Sequence, residues 1–197
     1  MLEKFKNLQI SDVIINALND MGFEEPTPIQ EGSIPVALEG HDMIGQAQTG
    51  TGKTAAYGIP VLEKILAAGA PKELQSVILS PTRELAIQVA EEINHLAQYT
   101  PVQALPIYGG QDMERQLRRL RKSPQIIVAT PGRLIDHMKR GTVKLSSIST
   151  IVLDEADEML RMGFIDDVET VMAELPEHHQ TALFSATMPE PIRRITK

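Results

Sequence analysis

Short apolar runs rich in β-branched residues alternate with amphipathic stretches along most of the 197-residue chain. Several runs, such as VILS, IIVAT and TIVLD, are apolar at successive positions, as are strands that helices cover on both faces. The runs predict six strands, which are Met43–Ala47, Ser76–Ser80, Ala104–Tyr108, Ile126–Thr130, Thr150–Asp154 and Thr181–Ser185.

The stretches between these strands have helical periodicity. Arg83–Gln98 places Leu85, Val89, Ile93 and Leu96 on one stripe, and Thr82 is a suitable N-cap for that helix. Three shorter helices are predicted, at Asp112–Lys122, Gly132–Arg140 and Asp166–Leu175. Regular alternation of strand and helix predicts a mainly parallel sheet in a three-layer α/β/α sandwich. In such sheets the functional residues lie on loops after the carboxyl ends of the strands.

The composition is that of a soluble globular protein, with 42% apolar and 23% charged residues, which excludes fibrous and disordered classes. There is no Cys, so a disulfide framework, a thiol nucleophile and a thiolate metal site are excluded. No signal peptide and no apolar run of membrane-spanning length is visible. We therefore expect a cytoplasmic protein with no membrane partner.

The net charge of −7, taken alone, argues against a nucleic-acid partner, but the charge is unevenly distributed. Residues 115–140 contain eight basic residues against one acidic, a local charge of +7. Residues 154–177 contain nine acidic residues against one basic, a local charge of −8. The average therefore conceals two opposed segments and does not exclude nucleic acid, although we expect weak, salt-sensitive binding.

A glycine-rich segment, AQTGTGKT, follows the first predicted strand and precedes a helix. Glycines let the backbone curl so that successive N–H groups point at phosphate oxygens, and the helix adds its positive dipole end. Lys53 supplies charge for the outer phosphates, and the Thr54 hydroxyl is a suitable Mg²⁺ ligand. The predicted nucleotide-binding residues of this loop are Ala47, Gln48, Thr49, Gly50, Thr51, Gly52, Lys53 and Thr54.

One departure from the general phosphate-loop pattern is that Ala47 replaces its first glycine. The structural alternative is a Gly- and Thr-rich turn beside a surface lysine. The order strand, GKT and helix favours the nucleotide site. We also predict that Pro60 kinks or ends the first helical segment after the loop.

A cluster of carboxylates directly follows the apolar strand at residues 150–153. Asp154, at the end of a buried strand, is placed to orient Mg²⁺ or its waters, and Glu155 could orient and deprotonate an attacking water. The alternative is a carboxylate-rich helix N-terminus, which the helix dipole favours and which accounts well for Asp157 and Glu158. Together with the phosphate loop, the cluster predicts nucleoside triphosphate hydrolysis, with Lys53, Asp154 and Glu155 as catalytic residues.

The letters of residues 154–157 are D-E-A-D, and with AQTGTGKT they resemble the amino-terminal RecA-like ATPase domain of DEAD-box RNA helicases. Further motifs occur in the order of that family. They are GFEEPTPIQ at 22–30 with an upstream aromatic at Phe5, PTRELA at 81–86, a glycine pair at 109–110, TPGR at 130–133 and SAT at 185–187. The resemblance covers nearly the whole chain, and Ala47 is the usual residue of that family at its position.

The resemblance implies ATP and Mg²⁺ as cofactors. It implies that Gln30, whose amide can pair with both edges of adenine, selects ATP within an adenine-recognition region spanning residues 1–30. Phe5 would pack against the adenine ring and Thr27 would support the motif. Thr54 and Asp154 would hold the Mg²⁺, partly through water. Without the resemblance, PTPIQ is a proline-rich helix entry.

The resemblance also implies RNA as a partner, bound through its backbone without sequence reading. The implied RNA-binding residues are Thr82, Arg83, Gly109, Gly110, Thr130, Gly132 and Arg133. Asp157, Ser185 and Thr187 are implied to couple the ATP site to RNA binding. The structural alternatives are a plain turn for the glycine pair, N-capping for Thr82 and Thr130, and a polar strand end for Ser185.

The family has two RecA-like domains, and we find no motif of the second after Ser185. We therefore expect residues 1–197 to be a single domain of a larger helicase, truncated near its carboxyl end and monomeric. Such a chain should bind nucleotide weakly, turn it over slowly or not at all, and not unwind duplexes. The absence of a guanine-reading N/T-K-x-D element argues against a GTPase, whereas a DNA helicase and a regulatory nucleotide-binding module remain open.

Overall fold

The computed structural model describes residues 2–47 and 52–195, which contain a six-stranded, wholly parallel sheet. The spatial order of the strands is β1-β6-β5-β2-β4-β3. Their bounds are β1 Met43–Gln46, β2 Ser76–Leu79, β3 Ala104–Ile107, β4 Ile126–Ala129, β5 Thr150–Leu153 and β6 Gln180–Ser185. The predicted strands are all present, with most of them ending one residue earlier than predicted.

Helices connect the strands and cover both faces of the sheet. Their bounds are α1 Glu3–Lys6, α2 Asp12–Asp20, α3 Pro28–Leu38, α4 Lys53–Ala67, α5 Arg83–Leu96, α6 Met113–Leu120, α7 Pro131–Lys139, α8 Ala156–Arg161, α9 Ile165–Ala173 and α10 Glu190–Ile195. Thr82 caps α5 as predicted, because its hydroxyl accepts a hydrogen bond from the backbone N–H of Leu85 at 3.2 Å.

Alternate strand residues enter two apolar clusters on opposite sides of the sheet. Ile78, Val128 and Val152 face the cluster that includes α2, α4 and α5. Val77, Leu79 and Ile151 face the cluster that includes α7, α8 and α9. This burial on both faces explains the continuous apolar runs of the central strands, and the predicted three-layer α/β/α fold is confirmed.

The amino-terminal region packs on the first of these clusters. Phe5, Ile14 and Leu18 are fully buried there together with Ile59 and Leu62 of α4. Ser11 also bonds Glu63 of α4 through both its backbone N–H, at 2.8 Å, and its hydroxyl, at 2.6 Å. The region that the resemblance assigns to adenine recognition is thus attached directly to the helix that follows the phosphate loop.

The prediction that Pro60 ends the first helical segment is wrong, since α4 runs without a break from Lys53 to Ala67. Proline at this position removes one intrahelical hydrogen bond. The helix nevertheless continues because Ile59, Val61 and Leu62, on both sides of the proline, are buried in the core. Burial of these side chains outweighs the local cost.

None of the helices within residues 2–47 and 52–195 combines the length and the apolarity that a bilayer crossing requires.

Candidate active site

The parallel strands end at one edge of the sheet, and this edge brings the predicted motifs together. β1, β6 and β5 are neighbours, and they are followed by the phosphate loop, by Ser185–Thr187 and by Asp154–Asp157. β2, β4 and β3 form the other half and are followed by residues 81–83, 130–133 and 109–110. The nucleotide candidates and the RNA candidates therefore occupy adjacent halves of one edge, which the strand order decides.

The two ends of the phosphate loop are held in place at this edge. The backbone N–H of Ala47 donates to the carbonyl of Ser185 at 3.2 Å, which fixes the exit of β1 against β6. Gly52 precedes α4 with φ +79°, a conformation that favours glycine. The predicted ligands Gln48, Thr49, Gly50 and Thr51 lie outside the described residues.

Thr27 and Gln30 form a reciprocal cap at the start of α3. The Gln30 backbone N–H donates to Thr27 Oγ1 at 3.4 Å, and the Thr27 N–H donates to Gln30 Oε1 at 2.9 Å. Gln30 Nε2 also donates to the Gly52 carbonyl at 3.0 Å, and its side chain is fully buried. The structural alternative, a capped helix entry, therefore holds, and the same amide also contacts the phosphate loop.

Phe5 is fully buried and packs edge-on against Phe23, with ring centroids 6.1 Å apart. A contact between this ring and an adenine base requires that its covering residues move. The assignment of Phe5 as an adenine contact stays a prediction.

Lys53 and Asp154 form a buried ion pair in the centre of the site. Lys53 Nζ lies 2.7 Å from Asp154 Oδ1, and the two side chains are 8% and 4% exposed. Glu155 Oε1 lies 3.9 Å from the same ammonium group. Because a charge buried without a partner is expensive, Lys53 and Asp154 stabilise one another in this arrangement. The three predicted catalytic residues are therefore in one cluster.

Tyr57 of α4 is a fourth member of this cluster that the sequence analysis missed. Its hydroxyl donates to Asp154 Oδ2 at 2.9 Å, and the side chain is buried. Burial raises the pKa of Asp154 above its ordinary value, while Lys53 and the Tyr57 hydroxyl act against this rise. Each oxygen of the Asp154 carboxylate thus has one partner, which fixes the orientation of the group. Its spacing from Lys53, one helical turn along α4, was the available signal.

Glu155 has a strained backbone, with φ +52° and ψ +52° at the start of α8. A residue with a side chain pays a cost in this left-handed region, and such strain occurs where a site demands a particular orientation. Here the turn directs the chain from β5 into α8 within one residue. Asp154 and Glu155 consequently both lie near Lys53 although they are adjacent in sequence.

Thr54 is half-buried at the first turn of α4 and hydrogen-bonds Glu92 of α5. Burial raises the pKa of the Glu92 carboxyl, and the hydrogen bond to Thr54 acts against this rise. The helical pattern placed Glu92 away from the buried stripe of α5, whereas the packing of α4 against α5 brings it under the phosphate loop. A side-chain acceptor there holds the Thr54 hydroxyl hydrogen while leaving its oxygen lone pairs available.

The donor set fits a magnesium ion bound mainly through other ligands. No cluster of three or more His, Cys, Asp or Glu side chains suited to a metal occurs within residues 2–47 and 52–195. Thr54 and Asp154 provide a hydroxyl and a carboxylate on adjacent elements, α4 and the end of β5. Mg²⁺ usually takes one or two protein ligands and completes its shell with phosphates and waters. The predicted pair is consistent with that mode.

Asp157, Ser185 and Thr187 are brought together as predicted. The Asp157 N–H donates to Ser185 Oγ at 3.1 Å, and the Ser185 hydroxyl donates to the Thr187 carbonyl at 2.6 Å. Thr187 returns two hydrogen bonds to Asp157 Oδ2, from its N–H at 3.2 Å and its hydroxyl at 3.1 Å. Although partial burial opposes it, these bonds lower the pKa of Asp157 below its ordinary value. The ends of β5 and β6 are linked by this closed set of bonds.

The RNA candidates on the other half of the edge also come together. Arg83 is exposed, and its guanidinium lies over the Tyr108 ring, 5.8 Å from the ring centroid. Gly109 and Gly110 are exposed directly after Tyr108, and Gly110 has φ +88°. A Cβ atom at Gly110 would lie 3.8 Å from Arg83 Nη1. The Arg83 side chain therefore borders the glycine turn.

Thr130, Gly132 and Arg133 lie at the start of α7, beside this turn. Thr130 is the N-cap residue by position, but its side chain makes no capping hydrogen bond, unlike that of Thr82. Gly132 is exposed. Arg133 is only 16% exposed, and its Nη1 donates to the Gln111 carbonyl at 3.1 Å. Arg133 therefore ties α7 to the glycine turn, a role that the sequence analysis did not assign.

A family profile described as DEAD/DEAH box helicase matches residues 27–195. The chain therefore belongs to the DEAD/DEAH box helicase family, and the resemblance of its motifs is confirmed.

Among curated relatives, the chain is 57% identical over 194 residues to the DEAD-box ATP-dependent RNA helicase CshA of Bacillus cereus. It is 55% identical over 193 residues to CshA of Bacillus subtilis. Each alignment covers 98% of this chain but only 36% and 39% of those proteins, so the chain spans little more than a third of their length.

Two solved structures share the fold. A DEAD box protein from Methanococcus jannaschii has a TM-score of 0.92 at 43% identity, covering 98% of this chain and 52% of that chain. A hypothetical ATP-dependent RNA helicase from Sulfolobus tokodaii has a TM-score of 0.88 at 41% identity, covering 95% of this chain and 54% of that one.

Proposed function

We propose that this chain is the ATP-binding and ATP-hydrolysing half of a DEAD-box RNA helicase, and that a longer protein couples RNA-dependent ATP hydrolysis to local duplex unwinding or ribonucleoprotein remodelling. The single observation that carries the proposal is the buried cluster of Lys53, Asp154 and Tyr57, with Glu155 beside it, next to the hydrogen-bonded set of Asp157, Ser185 and Thr187. A structural turn needs no such concentration of buried charge. The naming of the relatives as ATP-dependent RNA helicases supports ATP and RNA as ligands.

In the proposed reaction, Lys53 has two alternative partners. Without nucleotide it neutralises Asp154 at 2.7 Å, and with ATP bound its ammonium group would turn toward the outer phosphates. A Mg²⁺ ion held by Thr54 and Asp154 would neutralise charge on the phosphates. Tyr57 would keep the Asp154 carboxylate oriented during this exchange. Glu155 would then orient the attacking water and accept its proton.

Turnover by this chain alone should be slow, because phosphoryl transfer also needs charge stabilisation from outside this cluster. A supplied arginine is worth about 10³–10⁵ in rate in such enzymes. We propose that a second RecA-like domain provides that group and further RNA contacts. The 197-residue chain should accordingly bind ADP or ATP weakly, behave as a monomer and leave duplexes intact. RNA-stimulated turnover by the chain alone, at the rate of a complete ATPase, would contradict this assignment.

The catalytic assignment is tested by Glu155→Gln in the full-length protein. The substitution keeps the side chain's size and removes its capacity to accept a proton, so steady-state ATP hydrolysis should fall by at least about 10² while ATP binding remains. Retained turnover would show that Glu155 is not the base. Comparing stimulation of hydrolysis by RNA and by DNA of the same sequence decides between an RNA and a DNA helicase.

The adenine assignment is tested by Gln30→Ala in the same protein. Loss of the amide should reduce the preference for ATP over GTP, measured as the ratio of their binding constants. Since Gln30 also donates to Gly52, both affinities should fall, but ATP affinity should fall further. An unchanged ratio would mean that Gln30 serves only as the cap of α3. We also propose a cytoplasmic location, which imaging of a fluorescent fusion in cells would test.

A further inference from the structure

A pair of buried polar side chains lies beneath the RNA-facing half of the edge and has no part in the catalytic cluster. Gln116 of α6 and His137 of α7 are both fully excluded from solvent. His137 Nε2 lies 2.8 Å from Gln116 Oε1, and His137 Nδ1 lies 2.8 Å from Thr142 Oγ1. Buried polar groups are costly unless satisfied, so a fully bonded pair at this depth specifies one arrangement.

The neighbours of the pair determine where its protons are. Gln116 Nε2 lies 2.9 Å from the Tyr108 carbonyl, which can only accept, so this amide atom is the nitrogen. Arg133 Nη1 lies 3.3 Å from the other amide atom and can only donate, so that atom is the oxygen. His137 Nε2 must therefore carry a proton, and in the neutral ring Nδ1 accepts one from Thr142.

The surroundings of His137 favour that neutral ring. Burial lowers the pKa of His137 below its ordinary value, and the positive charges of Arg133 and Arg140 lower it further, against a smaller opposing effect of Asp136.

The network grips the glycine turn at both ends. Gln116 Nε2 donates to the Tyr108 carbonyl at 2.9 Å and to Gln111 Oε1 at 2.8 Å. Arg133 Nη1 donates to the Gln111 carbonyl at 3.1 Å. The two fixed carbonyls flank Gly109 and Gly110, which have no side chains with which to anchor themselves. The conformation of the exposed turn is thus determined by buried atoms of α6 and α7.

We propose that Gln116 and His137 are positioning residues, which hold the Gly109–Gly110 backbone and Arg133 in the arrangement that receives RNA phosphates. The inference rests on the proposed RNA-binding function of this edge. Ordering a backbone residue costs about 1–2 kcal/mol, so a turn that is ordered before RNA arrives binds more tightly than a loose one. Neither residue needs to touch RNA for this effect.

Four variants of the 197-residue chain separate positioning from general stability. Gln116→Glu keeps the size and the acceptor but removes the donor to Tyr108 and Gln111. His137→Leu removes the bond to Gln116, whereas His137→Gln places an amide donor near the Nε2 position and should rescue it. The matched control is Gln98→Glu, the same substitution at an exposed residue that donates only to the carbonyl of His95.

Three measurements are made on each variant: NMR order parameters of the Gly109 and Gly110 amides without RNA, affinity for single-stranded oligouridylate at fixed salt, and affinity for ADP. Gln116→Glu and His137→Leu should lower the order parameters and weaken RNA binding about tenfold, the loss of roughly one ordered residue. ADP affinity should not change. His137→Gln and Gln98→Glu should resemble the unmodified chain in all three.

Unchanged order parameters in both Gln116→Glu and His137→Leu would overturn the proposal. So would lowered order parameters with unchanged RNA affinity, or an equal loss of ADP and RNA affinity, which indicates general destabilisation. If the unmodified chain binds no RNA, the proposed RNA function fails. The order parameters would then still decide whether Gln116 and His137 hold the turn.

Discussion

Substitution of Tyr57 by phenylalanine tests whether the buried Tyr57–Asp154 hydrogen bond stabilises the fold. The change removes one hydroxyl, leaves the ring packed against Phe184 at a centroid distance of 5.4 Å, and deprives Asp154 Oδ2 of its 2.9 Å donor. Asp154 is only 3% exposed, so water cannot replace that donor without rearrangement. Hydrogen bonds to charged groups contribute about 1.5–3 kcal/mol, and we expect a loss of free energy of unfolding in that range.

The chain offers a matched control in Tyr99, whose hydroxyl bonds the Asp20 carboxylate at the surface. Tyr99 is 51% exposed, so water replaces the lost bond and Tyr99→Phe should change the unfolding free energy by less than about 0.5 kcal/mol. The assay is urea unfolding followed by circular dichroism at pH 7, without nucleotide. For a domain of this size, Tyr57→Phe should also lower the Tm by about 3–12 °C.

Equal losses in Tyr57→Phe and Tyr99→Phe would refute the reasoning, because burial is the only feature credited with the difference. A loss confined to Tyr57→Phe supports it. A change in m-value with either variant would show that the substitution altered the unfolded or native state more broadly, and the comparison would then be made from ligand-free thermal unfolding.

Three further predictions concern crowding, buried charge and pH. Gly52→Ala should cost more unfolding free energy in urea than Gly22→Ala, at about 1–2 kcal/mol, because both positions have positive φ but a Cβ at Gly52 meets Gln30 Nε2 at 2.6 Å while Gly22 has open space. Lys53→Met should destabilise the fold by about 3–5 kcal/mol at pH 7 because it leaves Asp154 buried without a counter-ion, and Asp154→Asn in the same chain should recover much of that loss; no recovery would contradict the ion-pair assignment. Folding lowers the pKa of His137 from an ordinary value of 6.5, so the unfolded chain takes up the proton first and stability present above that pH is lost as pH falls; this decline between pH 7 and 5.5 should be smaller in His137→Gln, and an identical decline would locate it elsewhere.

The apolar pattern was sufficient for the fold because burial on both sheet faces leaves a local mark. Ile126–Ala129 and Thr150–Leu153 are fully buried strands, and each is visible as a run without polar interruption. The motif residues Lys53, Asp154 and Ser185 were likewise found from strand ends. The sequence failed at Pro60, where a local rule about proline was outweighed by the burial of its neighbours.

The partners of the site residues could not be predicted, because they depend on which elements pack together. Glu92 reaches Thr54 only because α4 packs on α5, and Gln116 reaches His137 only because α6 and α7 adjoin. Nothing in the letters around Gln116 distinguishes it from a solvated residue of a basic helix. Its burial is a property of three elements at once.

Sequence by itself determined the alternation of strands and helices, the edge on which the chemistry lies and the identity of the charged groups, since each of these leaves a short-range pattern. Tertiary structure alone decided the strand order β1-β6-β5-β2-β4-β3, which separates the nucleotide half from the RNA half. It also decided that Tyr57 orients Asp154 and that buried side chains hold the glycine turn. Contacts between residues 97 and 8 positions apart depend on packing, and packing is not written in any one segment.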